Sequence, residues 1–146
     1  MLVKFIVCVV AGLGAGIGTA LYNSQDGNLI TKAKAYAAAG CEARMSGVNR
    51  PAMSCANKGN VGIAASMPIV VQARELGLGD EAMQRGIALS YCLAIAIIHR
   101  IGKDPSMCSC EVAAAIGVAA GTVLLHGGMP ASCKEESNEE KDSCCD

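Results

Sequence analysis

Aromatic residues are almost missing from this sequence, with no Trp, one Phe and three Tyr among 146 residues. A core without them is filled by Ala, Val, Ile, Leu and Met. Together with 17 Gly, these small side chains let backbones approach closely, which suits helix on helix and disfavours β-sandwiches and barrels. Strong charge of one sign is also lacking: 12 Lys/Arg face 13 Asp/Glu, a formal net charge of -1. The charge is uneven, because residues 1–130 hold ten of the basic and seven of the acidic groups, which leaves an acidic tail at 131–146. Without a dense Lys/Arg cluster, and with few rings to stack on bases, no nucleic-acid partner is expected. A long unbroken apolar run is absent too. Met1 to Tyr22 opens with Lys4 and an apolar stretch of the signal-peptide or anchor kind, but Gly12, Gly14, Gly16 and Gly18 interrupt it at alternate positions. The expectation is therefore a cytoplasmic protein with no membrane association, and the length provides for one small domain.

What the sequence does have is cysteine, at 8, 41, 55, 92, 108, 110, 133, 144 and 145. The number is odd and several lie inside apolar runs, unlike the disulfide framework of a secreted miniprotein. Cys8, Cys41 and Cys92 read as small buried hydrophobes in a reducing compartment.

Residues 1–28 form an apolar segment of uncertain role followed by a loop, Asn23-Ser24-Gln25-Asp26-Gly27-Asn28. A helical domain is expected over 29–130 and a disordered, Cys-containing acidic tail over 131–146. Inside the domain, an Ala-rich helix spans about 29–39, closed by Gly40, and 43–60 reads as irregular. Asn60 is placed to cap a helix over 61–76 that Pro68 bends. Asp80 is placed to cap a helix over 81–101, where Met83, Ile87, Tyr91, Ala94 and Ile98 follow one face and Gly102 ends the run. Asp104-Pro105 reads as a helix start, and the last helix, over 111–125, is stopped by Gly127-Gly128 and Pro130.

Two segments can carry chemistry. Ser54 to Gly62 delivers a Gly- and Asn-containing loop into a helix start, where free N–H groups and Lys58 suit a carboxylate or phosphate. Its spacing is not that of a Walker A loop, and a capping loop without ligand is the alternative. Cys108-Ser109-Cys110 opens the last helix, whose dipole favours thiolate, the metal-binding form. Two cysteines make half a site, so a metal reading needs partners such as Cys55, Cys133, Cys144 or Cys145. His99 and His126 each end an apolar helix and read as structural. The residue orders needed for a serine hydrolase, an HExxH protease or a Rossmann dehydrogenase do not occur.

Three stretches, Glu42-Ala43-Arg44-Met45-Ser46-Gly47, Arg50-Pro51-Ala52-Met53-Ser54 and Gly59-Asn60-Val61-Gly62-Ile63-Ala64-Ala65-Ser66-Met67-Pro68, carry a resemblance. Together with Ala88-Leu89-Ser90, Ser106-Met107-Cys108-Ser109-Cys110, Ala114-Ala115-Ile116-Gly117 and Gly121, they resemble the L-cysteine desulfidase family. That family is related to the alpha domain of bacterial iron–sulfur L-serine dehydratases. The resemblance covers about residues 30–128 and implies an all-α, Ala/Gly-rich helical bundle of the serine dehydratase alpha-domain type. It implies a lyase that removes the β-substituent of a small amino-acid substrate. L-cysteine would give hydrogen sulfide, pyruvate and ammonia, and L-serine would lose water. A [4Fe-4S] cluster held by three cysteines, not pyridoxal phosphate, would serve as cofactor.

Carried over residue by residue, the resemblance implies substrate binding by Ser54, Gly59, Asn60 and Gly62 and metal binding by Cys108, with Cys110 its near alternative. Departures are equally specific. Cys55 stands where the family loop has Asn, Asn57 and Lys58 replace Gly and Ser, and Val61 replaces Gln. Two later cluster cysteines of the family have no counterpart in its pattern here. The chain is accordingly expected to be a fragment, split product or truncated homologue, active only if a second chain supplies the missing ligands. The alternatives are a degenerate non-catalytic paralogue serving as a binding or assembly partner, and a small Cys-rich metal-binding module.

Overall fold

Ala, Leu, Met, Lys and Glu favour helix, and five helices account for most of the computed structural model, which describes residues 16–24, 28–102 and 108–128. They are α1 (Ile17–Asn23), α2 (Leu29–Met45), α3 (Gly59–Glu75), α4 (Asp80–Ile101) and α5 (Ser109–Leu125). Among the described residues the sole β-type pairing is an isolated bridge between Cys55 and Lys58. The fold is the all-α bundle that the missing aromatics and the helical spacing imply.

Helix α3 lies at the centre and packs on α2, α4 and α5. It buries Val61, Ile63, Ala65, Met67, Ile69, Val70, Val71 and Ala73, which point in all directions around its axis, as befits a helix covered on several sides. Helices α4 and α5 pack on each other as well as on α3, whereas α1 packs on α2 alone. The α4–α5 contact depends on small residues. A Cβ on Gly117 would lie 2.5 Å from the Ser90 carbonyl oxygen, so only glycine permits that approach. Among the described residues Ser90 is the one buried polar residue, and its hydroxyl is satisfied by donating to the Ala65 carbonyl at 2.9 Å.

The helix ends show where the sequence expectation needs correction. Asn28 caps α2, its side chain accepting from the Ile30 N–H at 3.0 Å, a bond worth about 1 kcal/mol in such positions. The helix does not close at Gly40, which is buried on its flank; it runs on to Met45. It ends instead at Gly47, with φ at 76°, where the Gly47 and Val48 N–H groups return to the carbonyls of Arg44 and Ala43. This double return, a Schellman motif, recurs at Gly77 and Gly127. The irregular stretch is thereby shortened to 46–58.

Asn60 and Asp80 are not caps either. Lys58 is the N-cap of α3 and Gly79 that of α4, and Asp80 is the first helical residue, where with Glu81 it faces the positive end of the helix dipole. Gly102 does end α4, at φ 90°. The face α4 buries is centred on Gly86, Ser90, Ala94 and Ile98, while Met83, Ile87 and Tyr91 flank it half-buried. Cys92, expected inside, is exposed on the opposite side.

Helix α1 falls within 1–28. Its Gly18 lies against Ala39 of α2, and the Ile17 and Gly18 N–H groups donate to the Glu42 carboxylate at 3.2 and 3.4 Å. By length and composition α4 is the one helix among the described residues apolar enough to cross a membrane, with 22% of that stretch buried, and it packs on α3 and α5. Met1 to Ala15, Cys8, the Asp104-Pro105 pair, Pro130 and the tail at 131–146 lie outside the described residues.

Candidate functional site

The loop before α3 is shaped by a two-residue turn. The Cys55 and Lys58 backbones exchange hydrogen bonds of 3.2 and 2.9 Å, and the intervening Ala56 and Asn57 both have positive φ, 49° and 61°. This is the type I′ geometry that favours Asn or Gly at its centre. Asn57 fits it, and Ala56 is strained there. Cys55, only 2% exposed, is drawn into the core with Val61, Ala94, Ile98, Ala113 and Ala114. Its thiol faces the Tyr91 carbonyl at 4.0 Å, and burial, then the neighbouring Cys92, push that thiol up from its ordinary range. Cys55 is thus a core residue, in the cluster against which Cys110 packs.

Glycine at 62 is explained by the same loop. A Cβ there would overlap the Met53 carbonyl oxygen, so the loop backbone lies directly on the helix. The Gly62 N–H donates to the Lys58 carbonyl at 3.2 Å, while its own carbonyl accepts from Tyr91 Oη at 3.0 Å and Ser66 Oγ at 2.7 Å. Gly59 abuts the Arg44 guanidinium. Asn60 is held on both sides of its amide: Oδ1 accepts from Arg44 Nη1 at 2.9 Å, and Nδ2 points at Met45 Sδ at 3.5 Å. Ser54 is exposed on the loop.

At the start of α5 two thiols behave oppositely. Cys108 is the exposed N-cap, and the N–H groups of Glu111 and Cys110, then the Cys110 thiol, hold its sulfur below the usual thiol range. Cys110 is half-buried and raised, first by burial, then by the adjacent Cys108 and by Cys41, with Lys58 acting in the other direction. Lys58 and Cys41 therefore sit close to Cys110, and Cys41 Sγ in turn lies 3.9 Å from the Asn60 carbonyl. The N-termini of α3 and α5 and the C-terminal turns of α2 meet at one end of the bundle. The structure brings Cys110 beside Lys58, the N-cap that precedes Gly59 and Asn60, with Cys108 two residues away along the chain.

Two members of this end carry no role in the sequence reading. Arg44 stands within a quoted motif without a function, and Cys41 was expected only as a buried hydrophobe; it is half-buried beside the site, its thiol raised by burial and lowered by Arg44. The signal for Arg44 was its place in Glu42-Ala43-Arg44-Met45, close before the loop. Nothing in the spacing pointed to Cys41. Among the described residues, no three His, Cys, Asp or Glu side chains are grouped to hold a metal ion. His99 and His126 are exposed at the C-terminal ends of α4 and α5, where cationic groups suit the helix dipole.

Sequence comparison decides the lineage, since residues 7–137 match the family model described as serine dehydratase alpha chain. The chain belongs to the serine dehydratase alpha chain family. The match extends beyond both ends of the 30–128 region on which the resemblance rests. Relatives named UPF0597 protein include one from Methanocella arvoryzae, 40% identical over 126 residues that make up 81% of this chain and 30% of the relative. Another, from Clostridium tetani, is 40% identical over 116 residues, 80% of this chain and 27% of the relative. A third, from Clostridium botulinum strain Okra, is 38% identical over 131 residues, 89% of this chain and 30% of the relative. The chain thus spans under a third of the length of these curated relatives. No solved structure matches it.

Proposed function

We propose that this serine dehydratase alpha-type chain forms part of a cytoplasmic iron–sulfur lyase that eliminates hydrogen sulfide from L-cysteine or water from L-serine, leaving pyruvate and ammonia. The observation that carries the reading is that Cys110, two residues from Cys108, lies beside Lys58 at the start of α3. Cys108 and Cys110 fit part of a [4Fe-4S] ligand set, and no third His, Cys, Asp or Glu is grouped with them among the described residues. When bound, such a cluster supplies an open iron as Lewis acid toward the leaving sulfur or oxygen.

The chain's own residues do the rest. The lowered Cys108 thiol favours the thiolate, the metal-binding form, and Cys110 beside it is half-buried. The first turn of α3, with Lys58 at its N-cap, attracts the carboxylate of a small amino-acid substrate. Asn60, anchored by Arg44, and the exposed Ser54 offer polar groups to that substrate, while Gly59 and Gly62 let the loop and the Arg44 side chain lie close to the helix. No nucleic acid and no membrane enter this reading.

A second reading, a non-catalytic paralogue that acts as an assembly partner, draws on Cys55. It stands where the resembled family has Asn, and here it is buried in apolar core. Anaerobic iron and sulfide analysis of the purified chain, with Cys108→Ala and Cys110→Ala beside it, separates the two. Iron and sulfide lost in both variants support the lyase reading. No iron at all supports the paralogue, and zinc in place of iron supports a small metal-binding module.

A further inference from the structure

Helix α4 buries the stripe of Gly86, Ser90, Ala94 and Ile98 against α3 and α5, and no other helix among the described residues covers its opposite side. That side carries Glu81, Arg85, Ala88, Cys92, Ile95 and His99, all exposed. They are spaced alternately by four and three residues, the spacing of a two-helix coiled-coil seam. The sequence has no charged residue between Arg85 and His99, and Ile95 is 48% exposed. A helix side that faces only water carries polar residues instead. Charge is confined to the two ends, with Asp80 and Glu81 in the first turn and His99 and Arg100 in the last.

This arrangement is complementary to itself in one direction. A parallel copy of α4 would set acid on acid and base on base. An antiparallel copy, related by a two-fold axis level with Ser90, sets Glu81 opposite His99 at both ends, Arg85 opposite Ile95 and Ala88 opposite Cys92. The same patch then serves both partners, as a two-fold interface requires, and the two helix dipoles oppose each other. A hollow of about 390 Å³ lies at the basic end, lined by Ala56, Asn57, Ile95, Ile98, His99 and Gly102. It sits where the copy would deliver Glu81 and Arg85, an ion pair of 2.7 Å whose side chains project into water, 78% and 73% exposed. We propose that the exposed side of α4 is the self-association face of this chain, paired antiparallel with α4 of a second copy. The inference goes beyond the lyase reading and stands apart from it, since Cys108 and Cys110 take no part.

Sedimentation equilibrium of the full 146-residue chain, kept reduced, is expected to show monomer and dimer in exchange. Ile95→Arg should weaken the dimer about tenfold, while its circular dichroism and melting temperature stay unchanged. His99→Glu, which faces Glu81 of the copy with like charge, should weaken it about threefold, and Glu81→Lys added to His99→Glu should restore it. Ala119→Arg, exposed on α5, should leave it intact. In the dimer a short bismaleimide should join Cys92 to Cys92 of the copy, because the pairing offsets them by four residues, about 6 Å along the axis; peptide mapping reads that link. A chain monomeric up to about 1 mM, a dimer indifferent to Ile95→Arg, and a His99→Glu dimer that Glu81→Lys does not rescue each overturn the inference. So does a lower melting temperature in Ile95→Arg, which would mean that the chain's own ends cover this side. Binding of the monomer to neutral lipid vesicles, lost in Ile95→Arg, would assign the face to a membrane and overturn it too.

Discussion

Arg44 Nη1 donates to Asn60 Oδ1 at 2.9 Å, and this bond fastens the last turn of α2 to the first turn of α3 across the irregular loop. A hydrogen bond with one charged partner contributes somewhat more than a neutral one, and partial exposure reduces it to about 1 kcal/mol. Asn60→Ala should therefore lower the melting temperature by about 2–4 °C in a chain of this length. An unchanged melting curve would show that the contact ties nothing down.

The turn at Ala56 gives a prediction of opposite sign. At φ 49° a Cβ is strained, and glycine relieves roughly 1 kcal/mol of that strain, less its own entropy cost. Ala56→Gly is expected to raise the urea midpoint slightly, whereas Asn57→Val, at φ 61°, is expected to lower it clearly. A destabilised Ala56→Gly would contradict the turn.

Gly62 offers a steeper case. Its missing Cβ is the space occupied by the Met53 carbonyl oxygen, so Gly62→Ala has to push the loop off the helix. Overpacking of this kind costs about 1–3 kcal/mol. The expected readouts are a fall in the urea midpoint and faster proteolysis within 48–58; an unaltered digestion pattern would count against the contact.

Thiol chemistry tests the electrostatics at α5. With chelator present, alkylation at Cys108 should proceed with an apparent pKa below the usual thiol range, and at Cys110 and Cys55 above it, because N–H groups favour the first thiolate and burial disfavours the other two. As pH falls from 9 to 7, Cys108 should retain the larger share of its rate. Mass-spectrometric mapping of iodoacetamide adducts against pH reads this directly, and equal pH profiles at Cys108 and Cys110 would refute it.

Much of the bundle was legible because its signals are local. Leu29 as a helix start, Gly102 and Gly127 as stops, and the apolar spacing along α4 all follow from backbone chemistry a few residues long. Gly40 misled because a glycine inside a helix and a glycine that ends one look alike in sequence, and only the neighbouring Gly47 has the returning N–H pair. Asn60 misled for a tertiary reason, since the guanidinium of Arg44 occupies the amide that would otherwise cap the helix. The nearness of Lys58, in the 54–62 loop, to Cys110 was legible from two helix starts and a resemblance. Cys41 beside Cys110 was not, because it depends on how α2 lies across α3. Cys92 faces outward because the buried stripe of α4 passes through Ser90 and Ala94, one step round from the stripe that larger side chains suggest.

Sulfide release from L-cysteine is the most direct measurement. After anaerobic cluster reconstitution, the isolated 146-residue chain should release little or none, because the family-matched positions, Cys108 and Cys110, are too few thiolates for a cluster with one open iron. Cys108→Ala should abolish whatever release remains. Robust release by the chain alone, or release that survives Cys108→Ala, would contradict the proposed role of Cys108.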